Sequence, residues 1–393
     1  MQTDSIVIAG MARTPTGDFL GELATLSATQ LGAVAVAGAL RAGIDAAAVD
    51  AVTMGCVLSA GLGQAPARQA ALAAGLPPAV NCFTLNKMCG SGLQALMLAH
   101  DALQAGTHQA VIAGGMESMS NAPHLLPGAR SGYRSGHRQL LDHMLYDGLE
   151  DVYQHKLMGV YAEATAAKYG FSREQQDAFA LESLRRARQA AQDGGFADET
   201  VPVVVRHARG ETEIGRDQHP FAVSPEKIPL LKPAFADNGT VTAANSSSIA
   251  DGAAAVLMMR AGEADERKIT PLARVVAHAS HSQQPEWFTT APVGAIRKVL
   301  EKAGWRKEDV ELYEINEAFA VVTMAAMHDL DIDHARVNVN GGACALGHPI
   351  GASGARIVIT LIHALRRRKL KRGVAALCIG GGEAVAMAVE SLY

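Results

Sequence analysis

Cys89-Gly90-Ser91-Gly92 opens one long helical stretch, and Gly351-Ala352-Ser353-Gly354 opens another in the last third of the chain. The order around each is the same. In the first part a buried strand at Ser5–Gly10 precedes a helix at Ser27–Ala42 that Gly43 stops. A strand at Ala51–Met54, a helix at Ala65–Ala74, the helix after Gly90 and a strand at Ala110–Gly115 follow. In the last third a helix at Pro292–Ala303 ends at Gly304. Then come a strand at Val310–Ile315, a helix at Glu317–His328, a strand at Val337–Val339, a helix at Gly351–Arg366 and a strand at Gly373–Ile379. Strands alternating with helices predict an α/β fold with a largely parallel sheet. A second echo supports an internal duplication: Ile112-Ala-Gly-Gly-Met-Glu117 is matched by Ile379-Gly-Gly-Gly-Glu383. Glycine-rich turns into helices are common, but two matches in one order favour a repeated unit.

The middle of the chain breaks the pattern. Residues 119–248 carry polar helices such as Arg173–Gln192, many prolines and a locally basic run from Arg130 to Arg138. The run reads equally as a solvated loop or as a contact for another subunit or for substrate phosphates. Asp251–Met259 returns to strand character. The expected organisation is a core of residues 1–118 with 249–270, an inserted loop domain at 119–248 and a second core at 271–393.

The 393 residues exceed one ordinary core, and an apolar fraction of 49% with 19% charged residues describes a well-packed globular protein. A net charge of −4 gives no basic surface for nucleic acid, and no apolar run reaches membrane-span length. Met1-Gln2-Thr3-Asp4 is unlike a signal peptide and Ser391-Leu392-Tyr393 is not the peroxisomal tripeptide, so a cytoplasmic location is expected. Cys56, Cys82, Cys89, Cys344 and Cys378 form no paired metal or redox motif. They are expected to be thiols, and no metal site is expected.

Four segments carry chemistry. In Asn86-Lys-Met-Cys89-Gly90-Ser91-Gly92 a cysteine stands at a helix start, facing unpaired N–H groups and the positive end of the helix dipole. That setting predicts a thiol pKa below the ordinary value of roughly 8.5, and so an available nucleophile. In the loop from Asn340 to Gly354, His348 is held between Gly347 and Pro349, placed to act as a base or an oxyanion donor. Cys378 ends a strand before Gly380-Gly381-Gly382, where open backbone N–H groups suit an oxyanion. Asn316 stands at a strand-to-helix junction, as a helix cap or as a polar group in the pocket.

Together these segments resemble the four signature regions of the thiolases, in order and rough spacing, over essentially the whole chain. The resemblance implies the thiolase-like fold, with two duplicated α/β cores and a large inserted loop domain. It implies a reversible Claisen condensation or thiolytic cleavage of acyl-CoA thioesters, closest to the short-chain biosynthetic acetoacetyl-CoA type. A degradative enzyme for longer or substituted 3-ketoacyl-CoAs is the rival reading. By position, Cys89 resembles the acyl-carrying nucleophile, His348 its activator and Cys378 the acid/base for the α-proton. Asn316 with His348 resembles one oxyanion site, and the N–H groups of Cys89 and Gly380 the other.

Thr242–Ser248 resembles the pantetheine-binding stretch, with Ser247 and Ala243 as contacts. Met158, Phe235, Phe288, Ala318 and Phe319 are the expected pocket wall. Coenzyme A enters as substrate and product, with no further cofactor. The partners implied are acyl-CoAs and further copies of the chain, as a dimer or tetramer. Two departures stand out. No arginine occurs in Asp217–Phe221, where biosynthetic members carry one near the adenine, and Phe288-Thr289 stands where methionine and glycine line the acyl pocket.

Overall fold

The computed structural model describes residues 5–208 and 210–392; the readings that fall on Met1–Asp4 and Tyr393 lie outside them. In chain order the first half is β1 (Ile6–Arg13), α1 (Ala28–Ala39), β2 (Ala51–Gly55), α2 (Pro66–Ala73), β3 (Asn81–Leu85), α3 (Ser91–Gln104) and β4 (Ala110–Ser118). A long excursion containing α4 (Met158–Tyr169) and α5 (Arg173–Gln192) then leads to β5 (Ala250–Arg260). The second half is β6 (Ala273–Ser282), α6 (Ala291–Ala303), β7 (Leu312–Ile315), α7 (Ala320–Leu330), α8 (Ser353–Arg368), β8 (Arg372–Ile379) and β9 (Glu383–Ser391).

The main strands form one sheet in the order β7-β8-β9-β6-β1-β5-β4-β2-β3, with the short strand Gly17–Asp18 paired to β5 off this path. The halves repeat each other: β2, β4, β5 and β1 of one half correspond to β7, β8, β9 and β6 of the other, with the same relative directions. They meet where β1 pairs antiparallel with β6. The sheet is mixed, correcting the largely parallel expectation. Among the described residues only the strand pairs β2–β3, β2–β4 and β7–β8 of this sheet are parallel. The reason lies in the connections. β8 turns into β9 through Gly380–Gly382, too short for a crossover, and the excursion between β4 and β5 returns the chain antiparallel.

α3 and α8 lie between the two halves of the sheet. The core cluster around them takes side chains from both, including Leu93, Leu96, Ile357 and Leu361 of the helices and Val111, Val256, Leu377 and Val389 of the strands. α1 and α2 cover the outer face of the first half, and α6 and α7 that of the second. Buried on both faces, the strands read as continuous apolar runs rather than alternating ones.

The predicted strand at Val337–Val339 is a single parallel bridge from Val337 to Tyr313. Asn338 ends it by adopting a left-handed φ of +48°. Its side-chain amide then stands in for a neighbouring strand, accepting from Ile315 N–H and donating to Ile315 O, both at 2.8 Å.

Candidate active site

Cys89 sits in the turn between β3 and α3. Met88 before it has a left-handed φ of +47°, a conformation that costs a non-glycine residue roughly 1–2 kcal/mol. Local hydrogen bonds hold that strain. Ser91 Oγ accepts from Lys87 N–H at 2.8 Å and donates to Met88 O at 2.7 Å, while Asn86 Oδ1 accepts from Met88 N–H at 2.9 Å. α3 has no side-chain cap, so its first N–H groups stay open toward the turn.

His348 occupies the loop between the single turn Ala343–Leu346 and α8. Its backbone N–H donates to Ser248 O at 3.0 Å, and its Nδ1 lies 2.5 Å from Ser353 Oγ. Ser353 Oγ also lies 3.0 Å from Pro349 O. With the hydroxyl proton given to Pro349, Oγ accepts from Nδ1–H, and Nε2 keeps its lone pair. Nε2 is buried and has no partner among the described residues. Glu117 fixes the loop from below, its carboxylate accepting from Gly351 N–H at 2.8 Å and from Val57 and Leu58 N–H at 3.0 Å.

The repeated glycine-serine motifs bring these two loops together. A Cβ on Gly92 would stand 2.8 Å from Ala355 N, and one on Gly354 would stand 2.3 Å from Leu93 N. The two helix starts touch backbone to backbone, a contact that only glycine permits. Ser91 and Ser353 are the matching serines of the two halves, each hydrogen-bonded to a carbonyl of its own turn.

One apolar cavity of about 240 Å³ lies over this contact. Cys89, Met158, Phe235, Ser247, Phe288, Ala318, Phe319, His348 and Gly380 all line it, as expected from the sequence. Three expected residues do not. Ala243 is exposed on the Val241–Ser246 loop. Cys378 is fully buried at the end of β8, in the cluster that holds Phe288 and Phe319, close enough to Cys89 for that thiol to raise its cost of ionisation. Asn316 is also buried, and neither its amide nitrogen nor its oxygen has a partner among the described residues. α7 begins only at Ala320, so Asn316 is not its cap. The basic run from Arg130 to Arg138 is exposed throughout and contributes nothing to the lining. Asp217 is engaged elsewhere, in a buried pair with Arg13 at 2.6 Å.

Burial reverses one expectation. The Cys89 thiol is pushed up to about 11, by desolvation first, although the N–H groups of Gly380 and of Cys89 itself point at it and pull the other way. The helix start thus softens the penalty without overcoming it. His348 is pushed down to about 3 by burial, with Arg356 adding to the effect. Thiol and imidazole both rest neutral at neutral pH, and burial holds the Cys378 pKa well above its ordinary value.

The thiolase N-terminal domain matches residues 6–262 and the thiolase C-terminal domain residues 269–391. The chain belongs to the thiolase family. An acetyl-CoA acetyltransferase of Pseudomonas aeruginosa is 49% identical over 97% of this thiolase and 98% of the relative. Another, of Cupriavidus necator, is 48% identical over 98% and 99%. Two solved structures superpose closely. The Bacillus anthracis acetyl-CoA acetyltransferase has a TM-score of 0.96 at 41% identity, each chain covered to 99%. An Ascaris suum thiolase in complex with coenzyme A has a TM-score of 0.93 at 42% identity, covering 99% of this chain and 100% of that one.

Sequence reasoning missed Ser353, Glu117 and the apolar floor of the pocket formed by Met119, Leu145, Leu149, Ile249 and Ile350. The serine was legible as the partner of Ser91 in the repeated motif. The floor residues come from distant segments and carry no signal of their own.

The depressed His348 sets an acid sensitivity for this thiolase. Its folded value lies below the unfolded 6.5, so the unfolded state binds the extra proton. The stability it contributes is present above about pH 6.5 and is lost as pH falls toward about 3. Between neutrality and about pH 5 the loss is about 2 kcal/mol. Urea midpoints at about pH 7.5 and about pH 5 are expected to converge in His348→Asn relative to the wild type. An unchanged difference refutes the assignment.

Proposed function

We propose that this thiolase joins two molecules of acetyl-CoA into acetoacetyl-CoA and CoA, reversibly, through an acetyl group carried on Cys89. The observation that carries the reading is the meeting of Cys89, His348 and the Gly380 N–H at one apolar cavity, with Cys378 directly behind it. The names of the curated relatives favour acetyl transfer over the degradative alternative.

In the first half-reaction His348 Nε2 takes the proton of Cys89 as the sulfur attacks the thioester carbonyl. The N–H groups of Cys89 and Gly380 receive the oxyanion. CoA leaves as a thiolate and takes the proton of Cys378, which remains as the base. In the second half-reaction Cys378 removes a proton from the methyl carbon of another acetyl-CoA. The enolate oxygen accepts from protonated His348 and, through a water, from the unpartnered Asn316 amide. The enolate carbon attacks the acetyl group, and Cys89 leaves and recovers its proton from His348. Each group ends as it began, and the only products are acetoacetyl-CoA and CoA.

Ser247, Met158, Phe235 and Ala318 form the pantetheine channel, and Ala243 lies at its outer rim. The chain works as a homo-oligomer in the cytoplasm. An edge strand, β3, with Phe83 48% exposed, favours association. Among the described residues no helix is long and apolar enough to cross a membrane.

The wall sets chain length. Phe288 and Phe319 both border the cavity, Phe288 backed by the Tyr161 ring at 6.4 Å and Phe319 by Phe235 at 6.0 Å. Added methylenes overlap these supported rings at a cost of about 1–3 kcal/mol. Acetoacetyl-CoA is therefore expected to be cleaved with a kcat/KM roughly 5–150-fold above that of a six-carbon 3-ketoacyl-CoA, by the same estimate. Phe288→Ala narrows the ratio while keeping turnover of the small substrate. Equal wild-type rates for both substrates restore the degradative reading.

A further inference from the structure

Outside the cavity, three side chains converge that the reaction does not use. His100 and Asp101 stand near the C-terminal end of α3, the helix whose start carries Cys89, and His278 stands on β6 of the other half. His278 Nε2 lies 2.9 Å from Asp101 Oδ1 and 3.2 Å from His100 Nδ1, and His100 Nδ1 lies 3.2 Å from Asp101 Oδ1. The three atoms form a closed triangle. With Asp101 ionised, as its lowered pKa beside the two histidines keeps it, each atom toward the others is a donor or an acceptor, so two of the three share a role and face each other like with like. No arrangement of protons satisfies all three contacts. A cation at the centre does, because all three then act as electron-pair donors to it.

We propose that His100, Asp101 and His278 form a binding site for a divalent transition-metal ion, with zinc the natural occupant. Two imidazole nitrogens and one carboxylate oxygen are a borderline donor set that suits zinc or cobalt over the all-oxygen preference of magnesium and calcium. Ligands at zinc-like distances around a tetrahedral ion stand about 3.3 Å apart. The observed triangle opens to that size by a few tenths of an ångström. The two rings meet edge to face, centroids 4.9 Å apart. The Asp101 side chain is 60% exposed and the histidines are mostly buried, which leaves a solvent-facing fourth position for water.

Lys302 of α6 approaches from the second half, its ammonium 3.1 Å from His278 O, and Asp101 supplies the opposing charge. The bound ion pins α3 to β6 across the two halves. It lies on the order of 15 Å along α3 from Cys89, so its role is structural. Nothing in the sequence marks the site, since Asp101 and His278 are 177 positions apart.

The test uses the full-length enzyme stripped with a chelator. Zinc is titrated in competition with a chromophoric chelator, and cobalt is followed by its visible absorption. The wild type is expected to take one ion per chain, with the bands of a four-coordinate nitrogen–oxygen site and a rise in melting temperature. His278→Ala and the solvent-exposed Asp101→Asn are expected to weaken binding tenfold or more and to lose the thermal shift, with acetyl transfer unchanged. Should His278→Ala fail to fold, Asp101→Asn decides alone. Equal affinity in wild type and Asp101→Asn, or a cobalt spectrum showing sulfur ligation by one of the five cysteines, overturns the proposal.

Discussion

Cys89→Ser is expected to lower acetyl transfer by roughly 10⁴-fold or more, the scale of losing a covalent nucleophile. Cys89 is not a free thiolate; burial holds its thiol near about 11. In the proposed mechanism His348 Nε2, buried without a partner among the described residues, is the base that compensates. A serine hydroxyl has an intrinsic pKa several units higher still, so the same neutral imidazole cannot draw its proton at a useful rate. Incubating the wild type with acetyl-CoA and mapping the product by mass spectrometry should place one acetyl group on the peptide containing Cys89, and none on that peptide in the variant. An adduct carried by Cys378 alone rules the mechanism out.

Cys378→Ala separates the two half-reactions. Exchange of acetyl groups between CoA and the enzyme makes no carbanion, and a CoA thiolate leaves without an acid, so exchange should persist. Condensation requires removal of an α-proton and should fall by roughly 10²–10⁴-fold or more, the range for losing a general base. The site favours such a division. Cys378 is fully buried behind the cavity, in the cluster with Phe288 and Phe319, where alanine leaves only a small void, while Cys89 and His348 keep their own supports. Isotope exchange between labelled CoA and acetyl-CoA reads the first half, and acetoacetyl-CoA formation reads the second. Parallel loss of both would mean that Cys378 acts in acyl transfer as well and is not the carbon acid's partner.

The sequence by itself determined the repeated α/β plan and the placing of Cys89 and His348 beside the paired glycine-serine motifs. These are local signals. A helix start needs open N–H groups, a close backbone approach needs glycine, and each leaves its mark within a few residues of Cys89 or Gly354. It also named most of the pocket wall, through the resemblance rather than through any pattern in the residues. Tertiary structure decided the rest, because the deciding terms sum over residues far apart in the chain. The strand directions followed from the lengths of the connections. Asn338 replaced a strand by pairing its side chain with Ile315. The helix start at Cys89 predicted a lowered thiol pKa, yet desolvation by packing from both halves raised it. Asn316, read as a cap or as a polar group in the pocket, is not the cap of α7, which begins four residues later, and is buried outside the cavity lining with no partner among the described residues. The triangle of His100, Asp101 and His278 exists only because β6 folds back against the end of α3. Local motif fixes which groups are present, and burial and long-range contact fix their protonation and their partners.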